Sequence, residues 1–217
     1  MSGHPPTITR SHAPTLPRRL YQCILTAFIV ATGLAFFLWI QRVRPGGTDT
    51  RIGIDDAIPF LPATALVYIA FFPAMPAVAL ILDPPSWRRT LAAGVLATLA
   101  ACVVFAVWPT QVPRPAAAEI APSWREVFRW VHLVDNGGNA CPSLHVALSV
   151  IFAAGAVRSG RPRAAAWTAA GLMILSALLT KQHTVMDAVG GLLLGAGGWR
   201  LTARAGRPGT ETGTGAD

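Results

Sequence analysis

Three short polar clusters interrupt an otherwise apolar chain: Val112-Pro113-Arg114-Pro115, Asn139-Ala140-Cys141-Pro142-Ser143-Leu144-His145, and Thr180-Lys181-Gln182-His183-Thr184-Val185-Met186-Asp187. Their residue types suit phosphoryl transfer, which needs fixed positive charge, hydrogen-bond donors and an in-line nucleophile. Arg114 and Lys181 supply charge, and the rigid guanidinium fork of Arg114 suits bidentate oxygen contacts. Pro142 fits the first turn of a helix, whose free N–H groups bind anions, and Ser143 adds a hydroxyl donor. The preceding Asp135-Asn136-Gly137-Gly138-Asn139 stretch reads as flexible turn chemistry. His183 and Asp187 stand four apart, on one helix face. A carboxylate there holds one imidazole nitrogen protonated and leaves the other free to attack. His145 is left to protonate the departing oxygen.

Blander readings compete. A histidine at a membrane-helix end can simply anchor to headgroups, and one His-x-x-x-Asp is a weak signal. Ionisable residues inside membrane segments mark function more often, and three clusters at helix ends on one face strengthen that reading. Lys181 is the only lysine beside 17 arginines. A snorkelling role at the membrane boundary is its alternative. His132 reads as a surface residue, and His4 and His12 fall in a polar tail. Cys23, Cys102 and Cys141 have no metal-ligand spacing, and their odd number argues against a disulfide framework.

The elements that must position these clusters are membrane helices. Charged residues make up 13% of the 217-residue chain, hydrophobic residues 53%, and the mean hydropathy is +0.47. A soluble domain carries roughly 25% charged residues. Six apolar runs are expected to span the bilayer: Leu20–Ile40, Phe60–Leu82, Thr90–Trp108, Ala140–Val157, Ala164–Thr180 and Met186–Leu201. The first is too long for a signal-peptide core. The second should kink at Pro73 and Pro76. In the sixth, Gly191 and Gly195 have the small-xxx-small spacing that lets helices approach closely. Ser123-Trp124-Arg125-Glu126 reads as a capping box opening a short amphipathic helix at the interface. The expected architecture is all-α: an integral-membrane six-helix domain over 20–205, flanked by disordered cytoplasmic tails at 1–19 and 206–217.

The net charge of +8 lies wholly on one side. The tails and the loops near 83–89 and 158–163 hold eleven arginines against three acids. The segments 41–59, 109–139 and 181–187 hold seven basic and seven acidic residues. Basic clusters between apolar runs fit loops against anionic lipid rather than nucleic-acid binding. Both termini are therefore expected in the cytoplasm, with the three polar clusters at the outer, periplasmic face of the plasma membrane.

The order Arg-Pro, Pro-Ser-x-His, His-x-x-x-Asp resembles the type 2 phosphatidic acid phosphatase superfamily, which also includes vanadium haloperoxidases. The resemblance spans about residues 60–200. Pro-Ser-Leu-His-Val-Ala with Thr-Lys-Gln-His-x-x-x-Asp is most similar to its inositolphosphotransferase-like branch. The resemblance implies His183 as a nucleophile forming a phosphohistidine, Asp187 as its orienting partner and His145 as general acid. It implies phosphate binding by Arg114, Ser143 and the backbone near Leu144, with no metal and no cofactor. The substrate would be a phosphorylated membrane lipid, and the acceptor water or a hydroxyl such as that of inositol. Three positions depart from the family pattern. Val107 stands where a lysine is usual, Leu144 where glycine is usual, and Ser176-Ala177 where Ser-Arg is usual. Lys181 is placed to replace one of the two missing charges. The competing reading is a non-catalytic protein of the same fold that binds anionic lipid.

The charge asymmetry is directly testable. Reporter fusions after Gln111 and after Arg161 should report opposite sides of the membrane, with Gln111 outside. Both reporters on one side would overturn the six-span topology.

Overall fold

The computed structural model describes residues 15–205. Eight helices account for most of it: α1 Leu16–Val43, α2 Gly53–Ala57, α3 Ala65–Ala79, α4 Pro84–Val107, α5 Arg125–Val134, α6 Leu144–Arg158, α7 Arg163–Leu179 and α8 Val185–Ala205. Two short strands, β1 Thr48–Asp49 and β2 Thr110–Gln111, pair in parallel. A single bridge joins Gln111 to Gly138. The expected tails lie outside the described residues, except that 16–19 form the first turn of α1.

Three helical segments are long and apolar enough to cross a bilayer: Leu16–Val43, Pro62–Ala79 and Pro84–Val107. The chain is thus a membrane protein with an all-α architecture. Two further apolar helices, α6 and α7, are shorter.

Several helix limits differ from expectation for local reasons. The third run begins at Pro84 rather than Thr90, because Asp83 caps the helix. Its carboxylate accepts from Ser86 N at 2.8 Å. Proline at the first helical position gives up no hydrogen bond. In the second run a 3₁₀ turn at Pro62–Thr64 precedes α3, which continues through Pro73 and Pro76. The capping box expected at Ser123 does not form. Pro122 starts a 3₁₀ turn that places Trp124 at the cap without a side-chain bond. Glu126 pairs instead with Arg129 at 2.8 Å.

Helix α6 is central, packed against α4, α7 and α8. The α6–α8 contact is backbone to backbone. A Cβ on Gly191 would lie 2.5 Å from Ser143 O, and one on Gly195 would lie 2.6 Å from Ala147 O. The small-xxx-small spacing therefore serves close packing, as the sequence suggested.

Arginines from several segments gather at the opposite end of the bundle from the polar clusters. Arg19 donates to Leu80 O at 2.9 Å and Arg161 to Ile81 O at 2.7 Å. Arg89 donates to Trp199 O at 2.7 Å and stacks 3.8 Å above the Trp199 ring. These carbonyls lie at or near helix C-terminal ends, where unpaired acceptors and the helix dipole favour cations.

Gly191→Ala should destabilise the protein by about 1–3 kcal/mol, the usual cost of overpacking. Gly197→Ala, with nothing within 4 Å of the added carbon, should be neutral. Melting in detergent separates them, and equal melting temperatures would refute the close-contact account.

Candidate active site

The turn between α7 and α8 is built to hold His183. At the end of α7, Lys181 N donates to Leu178 O at 3.0 Å and Gln182 N to Ala177 O at 3.0 Å. This double closure is a Schellman motif. It puts Lys181 in the left-handed region at φ 57, where glycine is usual. A side chain there costs about 1 kcal/mol or more. The Lys181 ammonium donates to Asp55 O at 2.7 Å and Ile58 O at 2.5 Å, clamping the α2 segment beside the turn. Two of its three N–H groups are engaged in this way.

Helix α8 then opens with a reciprocal cap. Thr184 N donates to Asp187 Oδ2 at 2.8 Å, and Asp187 N to Thr184 Oγ1 at 3.3 Å. The same Oδ2 lies 3.4 Å from His183 Nδ1. One carboxylate thus caps the helix and faces the imidazole. Asp187 is fully buried, and the His183 side chain is 6% exposed. A second carboxylate, Asp55, accepts from Ile52 N at 2.9 Å and Val185 N at 2.8 Å, joining α2 to the start of α8.

His145 enters from the first turn of α6. Its Nδ1 lies 3.3 Å from His183 Nε2 and 3.4 Å from Tyr68 Oη. Tyr68 donates to Asp135 Oδ2 at 3.3 Å. With the His183 proton on Nδ1, facing Asp187, Nε2 is left to accept from His145 Nδ1–H. Tyr68, Phe71 and Phe72 surround the His145 ring with centroids 4.4, 4.9 and 5.5 Å away.

Arg114 is anchored to the loop before α6. Its Nη2 donates to Asp135 Oδ1 at 2.7 Å and Asp135 O at 3.2 Å, and Nη1 to Gln182 O at 3.3 Å. Asp135 also accepts from Gly137 N at 2.9 Å and Gln41 Nε2 at 3.4 Å. Gly137 (φ 87) permits this approach. A Cβ there would lie 2.9 Å from Arg114 Nε. The 135–139 stretch is therefore an ordered ion-pair loop, where the sequence suggested only flexible turn chemistry.

The start of α6 also departs from expectation. Pro142 follows a cis peptide bond and lies outside the helix. Ser143 is the N-cap, its Oγ accepting from Val146 N at 3.4 Å. Ser143 is fully buried and donates its N–H to Asp187 O at 3.0 Å. Its hydroxyl is thus oriented into its own helix, and the residue lines neither cavity described below. The first-turn N–H groups of Leu144 and His145 have no intrahelical partner. Cys141 is buried, with Sγ 3.9 Å from Met186 O. His132 is half-buried against Phe128.

Two cavities meet at His183. One, of about 760 Å³, is apolar and reaches His145 and His183 from within the bundle. Phe28, Phe36, Val95 and Leu99 line it and are also exposed, so it opens sideways between α1 and α4. Along α4 it is lined from Thr90 to Phe105, about 22 Å at 1.5 Å per residue. The other, of about 400 Å³, is lined by Arg114, Lys181, Arg51, Asp56, Thr184 and His183 among others. His145 lines only the first, whereas Arg114 and Lys181 line only the second.

Of the residues singled out in the sequence, His183, Asp187, His145, Arg114 and Lys181 therefore converge here, Leu144 lines the apolar cavity, and Ser143 lines neither cavity. Sequence reasoning missed Asp135, Tyr68, Asp55 and Gln41. A carboxylate ten residues before His145 and just after an amphipathic helix was the available signal for Asp135.

A family model described as the PAP2 superfamily matches residues 54–201. No curated protein and no solved structure matches the chain.

Burial alone would raise the Asp135 carboxyl. The Arg114 guanidinium, the nearby histidines and the Gly137 N–H together hold it below the ordinary carboxylate range. A depressed folded-state pKa stabilises the fold above the unfolded value, about 3.9, and that contribution is lost as pH falls through the folded value. Melting temperature should therefore drop as pH falls below about 4. Asp135→Asn should flatten this acid limb while lowering stability at neutral pH by on the order of 3 kcal/mol, because Arg114 loses its partner. An unchanged acid limb in the variant would refute the assignment.

Proposed function

The chain belongs to the PAP2 superfamily, and from that premise we propose an integral-membrane lipid phosphatase or phosphotransferase working through a phosphohistidine on His183. The observation that carries the proposal is His183 itself. It lies between the Asp187 carboxylate and the His145 imidazole, at the junction of an apolar and a polar cavity. In this reading six helices span the bilayer and the site faces the outer side.

The hydrocarbon tail of the substrate occupies the apolar cavity. Its 22 Å length along α4 exceeds half the hydrocarbon thickness of a bilayer, about 15 Å. The phosphoryl oxygens lie toward the polar cavity, against Arg114, the remaining N–H of Lys181 and the first-turn N–H groups of α6 near Leu144. Ser143 supports that helix start from behind rather than touching phosphate.

His183 Nε2 attacks phosphorus. The P–O bond to the lipid alcohol breaks as the new N–P bond forms. His145 Nδ1–H gives its proton to the departing alkoxide, and Asp187 stabilises the cationic His183 ring. An acceptor hydroxyl then attacks phosphorus, returns its proton to His145 and releases His183. The acceptor is water or an alcohol such as inositol, and the polar cavity has room for either. Because the two imidazoles are 3.3 Å apart, the His145 ring must withdraw into its aromatic surround to admit the phosphoryl group.

The purified chain should release phosphate from a panel of lipid phosphates. Adding inositol tests whether the phosphoryl group passes to it. With ³²P-labelled substrate, a brief acid-free quench should trap a base-stable, acid-labile label. His183→Ala should abolish both label and turnover, whereas His145→Ala should slow turnover by about 10²–10⁴-fold, the usual worth of a general acid. Robust turnover by the His183→Ala protein would eliminate the covalent route.

A further inference from the structure

The apolar cavity ends in polar atoms that the chain itself leaves unused. Asn139 and Gln182 are 2% and 1% exposed, and both line the cavity beside the two histidines. Among the described residues, Asn139 Nδ2, Asn139 Oδ1 and Gln182 Oε1 have no hydrogen-bond partner. Gln182 Nε2 donates to Thr180 O at 3.2 Å, which sets the orientation of that amide. Asn139 is held from its backbone, with N donating to Thr110 O at 2.7 Å and φ at 55. Buried polar groups are nearly always satisfied. Two such amides at the head of an apolar cavity call for a polar partner there.

With His145 Nε2, which also lines the cavity without a partner, the free inventory is three acceptors and one NH₂ donor. An ester carbonyl or an ionised phosphate oxygen only accepts, so it would serve Asn139 Nδ2 and leave both amide oxygens unpaired. A hydroxyl both donates and accepts. We infer that Asn139 and Gln182 form a subsite for a hydroxyl carried beside the phosphoester. On that basis the preferred substrate is a lipid phosphate with a free hydroxyl next to the phosphate-bearing carbon. Fully esterified and simple alkyl phosphates fit less well. The inference rests on the lipid-phosphate reading above and adds the determinant of substrate choice. A site built to pair a hydroxyl discriminates against the analogue lacking it, because its polar groups are left unsatisfied.

The test uses the full chain in detergent micelles and two single-chain lipid phosphates that differ only in that hydroxyl. Wild-type kcat/KM for phosphate release should favour the hydroxylated lipid by about ten- to hundredfold. The difference should appear mainly in KM. Gln182→Met and Asn139→Gly should each shrink the ratio toward one. The first keeps the backbone carbonyl that Arg114 uses, and the second accepts the left-handed backbone. A matched pair of non-hydrolysable phosphonates, scored by thermal stabilisation, should show the same preference. Equal values for the two lipids in the wild-type protein would mean that water satisfies the amides and would overturn the subsite. So would an unchanged ratio in both folded variants. Turnover without preference would sink only this inference. Phosphonate preference without any turnover would leave the subsite standing and sink the catalytic reading.

Discussion

Everything at the site depends on how closely α6 and α8 can approach at their N-terminal ends. Ser143 N donates to Asp187 O across that contact at 3.0 Å, and Gly191 and Gly195 remove the side chains that would hold the helices apart. The consequence is chemical. Residue 145 on one helix and residue 183 just before the other present imidazoles 3.3 Å apart. Packing of small residues, weak in any single contact, thus defines the distance between two groups whose reactivity depends on that distance. A bulkier residue at Gly191 would separate the rings before it touched either one.

The second constraint is electrostatic. Charges in a low-dielectric bundle are costly unless paired or hydrogen-bonded. Three carboxylates at this site, Asp187, Asp135 and Asp55, are each used more than once. Asp187 caps α8 and faces His183. Asp135 pairs with Arg114 and accepts from Tyr68 and Gln41. Asp55 caps α2 and receives the Val185 N–H. Such multiple use reconciles a charged centre with an apolar chain. It also couples the elements. Arg114 cannot shift without disturbing the loop that leads into α6, nor Lys181 without releasing the α2 segment.

Local chemistry was readable from the sequence, whereas long-range partnership was not. The i,i+4 spacing put Asp187 on the His183 face, and the arginine partition separated the two ends of the bundle. Gly191 and Gly195 announced the close helix pair. The failures are all contests between local signals that only tertiary structure decides. Ser123 and Glu126 have capping-box spacing, yet Pro122 takes that stretch into a 3₁₀ turn. Pro142 looks like a helix start, yet Ser143 caps and the helix begins one residue later. Asp135 looked like turn chemistry because Arg114, 21 residues away, cannot be recognised as its partner from spacing. Tyr68 and Asp55 touch the site across 77 and 130 residues of chain.

The two positions where the family pattern would place further charge show why their loss is compatible with an ordered site. Val107 is 79% exposed on the outside of the bundle, and its side chain lines neither cavity. Ala177 is fully buried among Tyr68, Phe71 and Met173. Its carbonyl accepts both Gln182 N and His183 N, at 3.0 and 3.1 Å. A long cation in that place would have to cross the aromatic surround of His145. The cations that do line the polar cavity are Arg51, Arg114 and Lys181, and the last two are already oriented by backbone carbonyls. Positive charge is therefore held by loop anchors at the rim, while the His145 ring is enclosed by aromatic side chains. That division leaves the large cavity mainly apolar up to the two imidazoles, the amides of Asn139 and Gln182 and the Asp135 carboxylate.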